Sequence, residues 1–240
     1  IEGAGAGNSI IESPDLLGHS FTGNGNPYKA IVSIEDGSSV TLSGFTIDGR
    51  GQGNANNRFT GVGVHNANAT LNDLDITGVR NGGVSGTLDG VQAGTGVEAF
   101  NDDGVARTIT LENSTIADFQ KNGAAFLGGD LTVNVDHNTI TGAGNTTLIA
   151  QNGVEFFGLG GGTVTGSITN NTISGFSYGN SNTVASSILL SGASGTTVQG
   201  NTVTGTGGTC GYGLDADVSD NLTISDNDFS NLEDGVVLYS

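Results

Sequence analysis

The chain has 240 residues, including 43 Gly, two Pro, one Cys and no Met or Trp, and its six Lys and Arg stand against 24 Asp and Glu for a formal charge of −18. Scarce charge with recurrent Val, Ile, Leu and Phe excludes charge-driven disorder, glycines without a period of three exclude collagen, and abundant Gly, Asn, Thr and Ser exclude a long-helix protein. The negative excess repels phosphate backbones and anionic lipid, and no apolar run approaches ~18 residues, so neither nucleic acid nor membrane insertion is expected.

The opening stretch, IEGAGAGNSII from Ile1 to Ile11, reads as turn and coil, because neither a helix nor a Lys follows its glycines as a phosphate loop requires. One pattern then returns seven times: two apolar residues five apart, with a polar corner between them. The pairs are Leu42–Ile47, Leu71–Ile76, Leu111–Ile116, Val135–Ile140, Ile168–Ile173, Val198–Val203 and Ile224–Phe229. Each repeat next reaches a second apolar stretch, usually opened by Gly. These are GVGVHN from Gly61, GVEAFN from Gly96, GAAFLG from Gly123, GVEFFG from Gly153, SILLSG from Ser187, GYGLDA from Gly211 and GVVLYS from Gly235. All alternate with a period of two between Gly, Asn, Asp and Ser turns, which predicts short strands. No 3.6-residue period lasts ten residues, so no helix is expected.

Short strands repeating at this interval, with irregular insertions, predict an all-β chain folded as a single-stranded right-handed parallel β-helix, a β-solenoid of about eight coils. Stacked Val, Ile, Leu and Phe would fill its core. Asn138, Asn171, Asn201 and Asn227 occupy one corner position in four successive repeats, which predicts an Asn ladder. Residues 1–240 are expected to form one domain. Neither terminus carries a polar cap, so the expectation is a segment of a longer chain, or one that abuts another copy. The opening IEGAGAGNSII and the Asn-x-Ile corners resemble the pectin-lyase-like superfamily of β-helix proteins. That resemblance implies the fold across essentially the whole chain and leaves the activity open.

Candidate chemistry lies on the Gly-opened strands, whose alternate residues must face outward in columns. One expected column is Gly63, Glu98, Ala125, Glu155, Leu189, Gly213 and Val237; its neighbour is His65, Phe100, Leu127, Phe157, Ser191, Asp215 and Tyr239. Glu98 and Glu155, two coils apart, would stand roughly 9–10 Å from each other, near the carboxylate separation of inverting glycosidases. His65, Phe100, Phe157 and Tyr239 would edge the same face as sugar-binding rings. The alternative is that both Glu are solvated surface charges. A second candidate is the run from Tyr212 to Asp217, YGLDAD, followed by NLTI from Asn221. It resembles the Tyr-Gly-Phe-Asp-Pro-His stretch of alginate C5-epimerases, which likewise precedes Asn-Leu-Thr-Ile. The resemblance implies catalytic roles for Tyr212 and Asp215. Ala216 replaces the Pro, Asp217 replaces the catalytic His, and no Lys or Arg follows Lys121 to bind a polyuronate.

His19, His65, His137 and Cys210 show no zinc-ligand spacing. Carboxylates clustered toward the C-terminus would accept Ca²⁺, although no cofactor is required. Two functions fit these features. The first expectation is a structural or adhesive module of a secreted or cell-surface protein, whose loops contact glycans or neighbouring copies of the protein. The other is a polysaccharide-active enzyme, a hydrolase, lyase or epimerase, using outward carboxylates.

Overall fold

The computed structural model describes residues 1–179, 183–208 and 210–239. Its strands form two stacks, one of thirteen strands and one of nine, paired in parallel from coil to coil except for one hairpin near the start. The periodic anchors explain this stacking. Leu42, Leu71, Leu111, Val135, Ile168, Val198 and Ile224 stand in register, each opposite its successor. Ile47, Ile76, Ile116, Ile140, Ile173, Val203 and Phe229 form a second in-register row. Like shapes stacked at the ~4.8 Å strand spacing fill a coil with little void. The nine-stranded stack supplies the facing wall through Val62, Val97, Ala124, Val154, Ile188 and Leu214, all buried.

The polar corner between the anchors has its own logic. Its left-handed residue recurs in all seven repeats: Gly44, Asp73, Asn113, His137, Asn170, Gly200 and Asp226 have φ between 50° and 73°. Asp, Asn and Gly tolerate that conformation because they are short or lack a Cβ. The next residue turns inward. The side-chain oxygen of Asn171 accepts from the backbone N–H of Asn138 at 2.9 Å and from its amide at 3.0 Å. The amide of Asn171 donates to the carbonyl of Val135 at 2.9 Å and to Asn201 at 3.0 Å. Asn201 and Asn227 repeat the pattern, and Ser114 extends it one coil earlier by donating its backbone N–H to the side-chain oxygen of Asn138. Replacing Asn171 with Ala is expected to strand these buried partners at a cost of ~1–3 kcal/mol, read as a lower urea midpoint. An unchanged midpoint would show that the ladder contributes nothing.

Two features depart from the sequence reading. Gln52–Ala55 forms one turn of 3₁₀ helix inside an inter-coil loop. More consequentially, Phe21–Gly23 and the start of Asn26–Glu35 pair antiparallel as a hairpin turning at Asn24 and Gly25, whose φ values are 45° and 73°. Two consecutive left-handed residues give the primed turn that matches strand twist. This hairpin folds onto the outer face of the nine-stranded stack. There Phe21, Tyr28, Ala30 and Phe100 make a second apolar cluster, separate from the coil interior.

A carboxylate column on the outer face

The glycine that opens each strand sets the register of this face. A Cβ on Gly123 would stand 2.6 Å from the carbonyl oxygen of Gly153 and 2.7 Å from Ile140 in the core, so only Gly lets the coils approach there. In the GYGLDA strand the equivalent position is Gly213, which meets the Gly235 carbonyl in the same way. The sequence reading aligned that strand on Gly211 instead, which displaced it by two residues. The observed pairing corrects both columns. Asp215 lies opposite Leu189 and Val237, beside Glu98, Ala125 and Glu155 in the first column, and Asp217 lies opposite Ser191 and Tyr239 in the second. Carboxylates therefore recur at every second coil: Glu98, Glu155, Asp215.

A third column precedes the glycines: Thr60, Thr95, Asn122, Asn152, Ser186 and Tyr212. It feeds hydrogen bonds to the acids. Thr60 donates to Glu98 at 3.2 Å, Asn122 to Glu155 at 2.9 Å, and Ser186 to Asp215 at 3.3 Å. Sequence reasoning overlooked these donors, although a polar residue before each opening Gly was a visible signal. It also overlooked Tyr28, Arg58 and Lys121, which come from separate segments. The Arg58 guanidinium lies 5.4 Å from the centre of the Tyr28 ring and donates to its hydroxyl at 3.4 Å.

Burial sets the electrostatics. Glu98 is only 8% exposed. Desolvation pushes its carboxyl from the ordinary range up to about 7; hydrogen bonds from Thr60 and Thr95 pull the other way, and the nearby Glu155 adds to the rise. Burial also raises Glu155, opposed by the Lys121 ammonium and by Asn122. Lys121 is lowered by its own desolvation, against the pull of Glu155. Tyr28 is held protonated well above its usual range by burial and then by the charge of Glu98. The view of Glu98 and Glu155 as freely solvated charges is thereby replaced. Both are desolvated, and each is opposed by its own cation, Glu98 by the Arg58 guanidinium and Glu155 by the Lys121 ammonium.

A raised acid is a pH-dependent stability cost. Glu98 folds protonated at no charge penalty below about pH 4.5, and the penalty grows until Glu98 is ionised above about pH 7. Stability is therefore expected to fall across that window by on the order of 3 kcal/mol from this group. Glu98→Gln is expected to flatten the fall and to raise the urea midpoint at pH 8 relative to the parent. An equal pH dependence in both proteins would remove Glu98 as its source.

The other candidate residues take distinct places. His65 stacks on Phe21 with centroids 5.2 Å apart and contacts Asp102 at 3.2 Å. Phe100, expected as an open sugar platform, is 3% exposed beneath Phe21 and Tyr28, because the hairpin covers that end of the face. Phe157 and Tyr239 remain open. With Leu189, Ser191, Asp215 and Asp217 they line a cleft of about 500 Å³. Tyr212 lies one column away from Asp215, and its phenol is raised first by desolvation and then by Tyr239 and acidic neighbours. Among the described residues no group of three or more His, Cys, Asp or Glu side chains is placed to hold a metal ion. Among the described residues no helix is long and apolar enough to cross a membrane.

Parallel coils, inward apolar ladders and an Asn-bonded corner define the class: a parallel β-helix. A family model for the right-handed beta helix region matches residues 95–240, more than half of the chain, and the chain belongs to that family. No curated protein and no solved structure matches it.

Proposed function

We propose that the outer face of the nine-stranded stack binds a polysaccharide and cleaves it by acid–base chemistry between Glu98 and Glu155. The observation that carries this reading is a pair of desolvated carboxyls two coils apart in one column, Glu98 beside Arg58 and Glu155 beside Lys121. Glu98, held near neutrality, supplies a proton to the leaving oxygen. Glu155, whose carboxylate form the Lys121 ammonium and the Asn122 amide favour, takes the part of the base and activates water. Two coils separate them by about 9–10 Å at the backbone, room for a sugar and a water as inversion requires. Substrate reaches Glu98 from the side of Glu155, since the hairpin carrying Tyr28 closes the other. Such a protein acts on glycans outside the cell.

A panel of neutral, amino and acidic oligosaccharides tests the reading, with new reducing ends and unsaturated uronate absorbance as readouts. Hydrolysis without unsaturated product is expected. Absence of both signals across the panel would overturn it. A second reading, a glycan-holding or adhesive module without turnover, draws on the near-complete burial of Glu98 under its neighbours. Binding without cleavage would select it.

A further inference from the structure

We propose that the glycan held on this face is an extended 1,4-linked chain bearing protonated amines, laid along the axis of the coils. The inference rests on the glycan reading above and names its substrate class. The spacing of the first column supports the direction. Along it, Glu98, Ala125, Glu155, Leu189, Asp215 and Val237 alternate acid with small or apolar side chain. Coils rise ~4.8 Å each, so the acids recur about every 9–10 Å. An extended 1,4-linked pyranose chain advances by nearly one coil rise per sugar and turns each successive sugar over. The same substituent therefore faces the protein at every second sugar, where every second coil presents a carboxylate.

The cleft past Glu155 supports the chemistry. Leu189 and the rings of Phe157 and Tyr239 offer apolar surface for the C–H faces of sugars, and Asp215 and Asp217 supply the charge. No Lys or Arg occurs after Lys121, so a ligand lying over the later coils meets carboxylates with no cation to offset them. A polyuronate is repelled from that field and an ammonium is attracted. Burial keeps the Asp215 carboxyl raised, with Ser186 opposing and Asp217 adding to the rise, a state that a cationic ligand relieves.

The test titrates the 240-residue protein and its Glu98→Gln variant with three oligosaccharides of equal length: β-1,4-linked glucosamine, its N-acetylated form, and a galacturonate. The glucosamine chain is expected to bind about tenfold tighter than the N-acetylated chain, an advantage that shrinks with added salt. Asp217→Asn, at an exposed position, and Asp215→Asn are each expected to reduce that preference without weakening the N-acetylated chain. Equal affinity for the amine and N-acetyl chains, tighter binding of the galacturonate, or no binding of any of the three would overturn the proposal. Glucosamine binding with no cleavage of any glycan defeats the catalytic reading and leaves this one standing. Cleavage confined to the galacturonate defeats this one and leaves the catalytic reading standing.

Discussion

Glu98→Gln is expected to lower glycan cleavage by ~10²–10⁴-fold while leaving glycan binding in place. Gln keeps the shape of the side chain and can still accept from Thr60, so the loss reports the missing proton rather than a collapsed site. The parent should lose activity as pH rises through about 7, where Glu98 surrenders the proton that the leaving oxygen needs. Glu155→Gln is expected to cost a similar factor by removing the carboxylate that activates water. Rates across pH 5–9 on one cleaved oligosaccharide measure both effects. A Glu98→Gln protein with the parent rate and the parent profile would end the acid–base assignment.

The largest stability loss is expected from Phe156→Ala. Phe156 is fully buried, packs edge-on against Phe126 at 5.6 Å, and lies opposite Leu190 in the next coil. Truncation removes its burial and opens a cavity between stacked coils that cannot close independently, a loss of about 3–5 kcal/mol. Its neighbour Phe157 points the other way and is partly exposed in the cleft. Phe157→Ala is therefore expected to leave stability nearly unchanged and to weaken glycan binding. Urea midpoints of the two variants test the inward–outward assignment of the whole face. Equal destabilisation by both would contradict the alternation on which every column depends.

The features legible in the sequence are those that a parallel coil repeats locally. The apolar pairs five residues apart predicted the two anchor rows, and Asn138, Asn171, Asn201 and Asn227 predicted the hydrogen-bonded corner, because each position meets its own equivalent one coil later. The Glu98–Glu155 column followed from the same alternation. Asp215 was misplaced because GYGLDA contains two glycines, and only the approach of the Gly235 carbonyl to Gly213 decides which one opens the strand.

The remainder of the site belongs to tertiary structure. Tyr28, Arg58 and Lys121 come from a hairpin, a loop and a strand entry with no shared spacing, and no repeat announces that Tyr28 and Arg58 meet beside Glu98 or that Lys121 lies near Glu155. The hairpin covers Phe100 because Gly63 and Gly23 leave room for the Phe21 and Phe100 rings, a fit between segments distant in the chain. Desolvation follows from that covering. The sequence by itself determined the coil, its anchors and its polar corner, since stacking makes near neighbours of equivalent residues. Only the folded chain decided which outward acids are stripped of water, because that depends on what other segments lie over them.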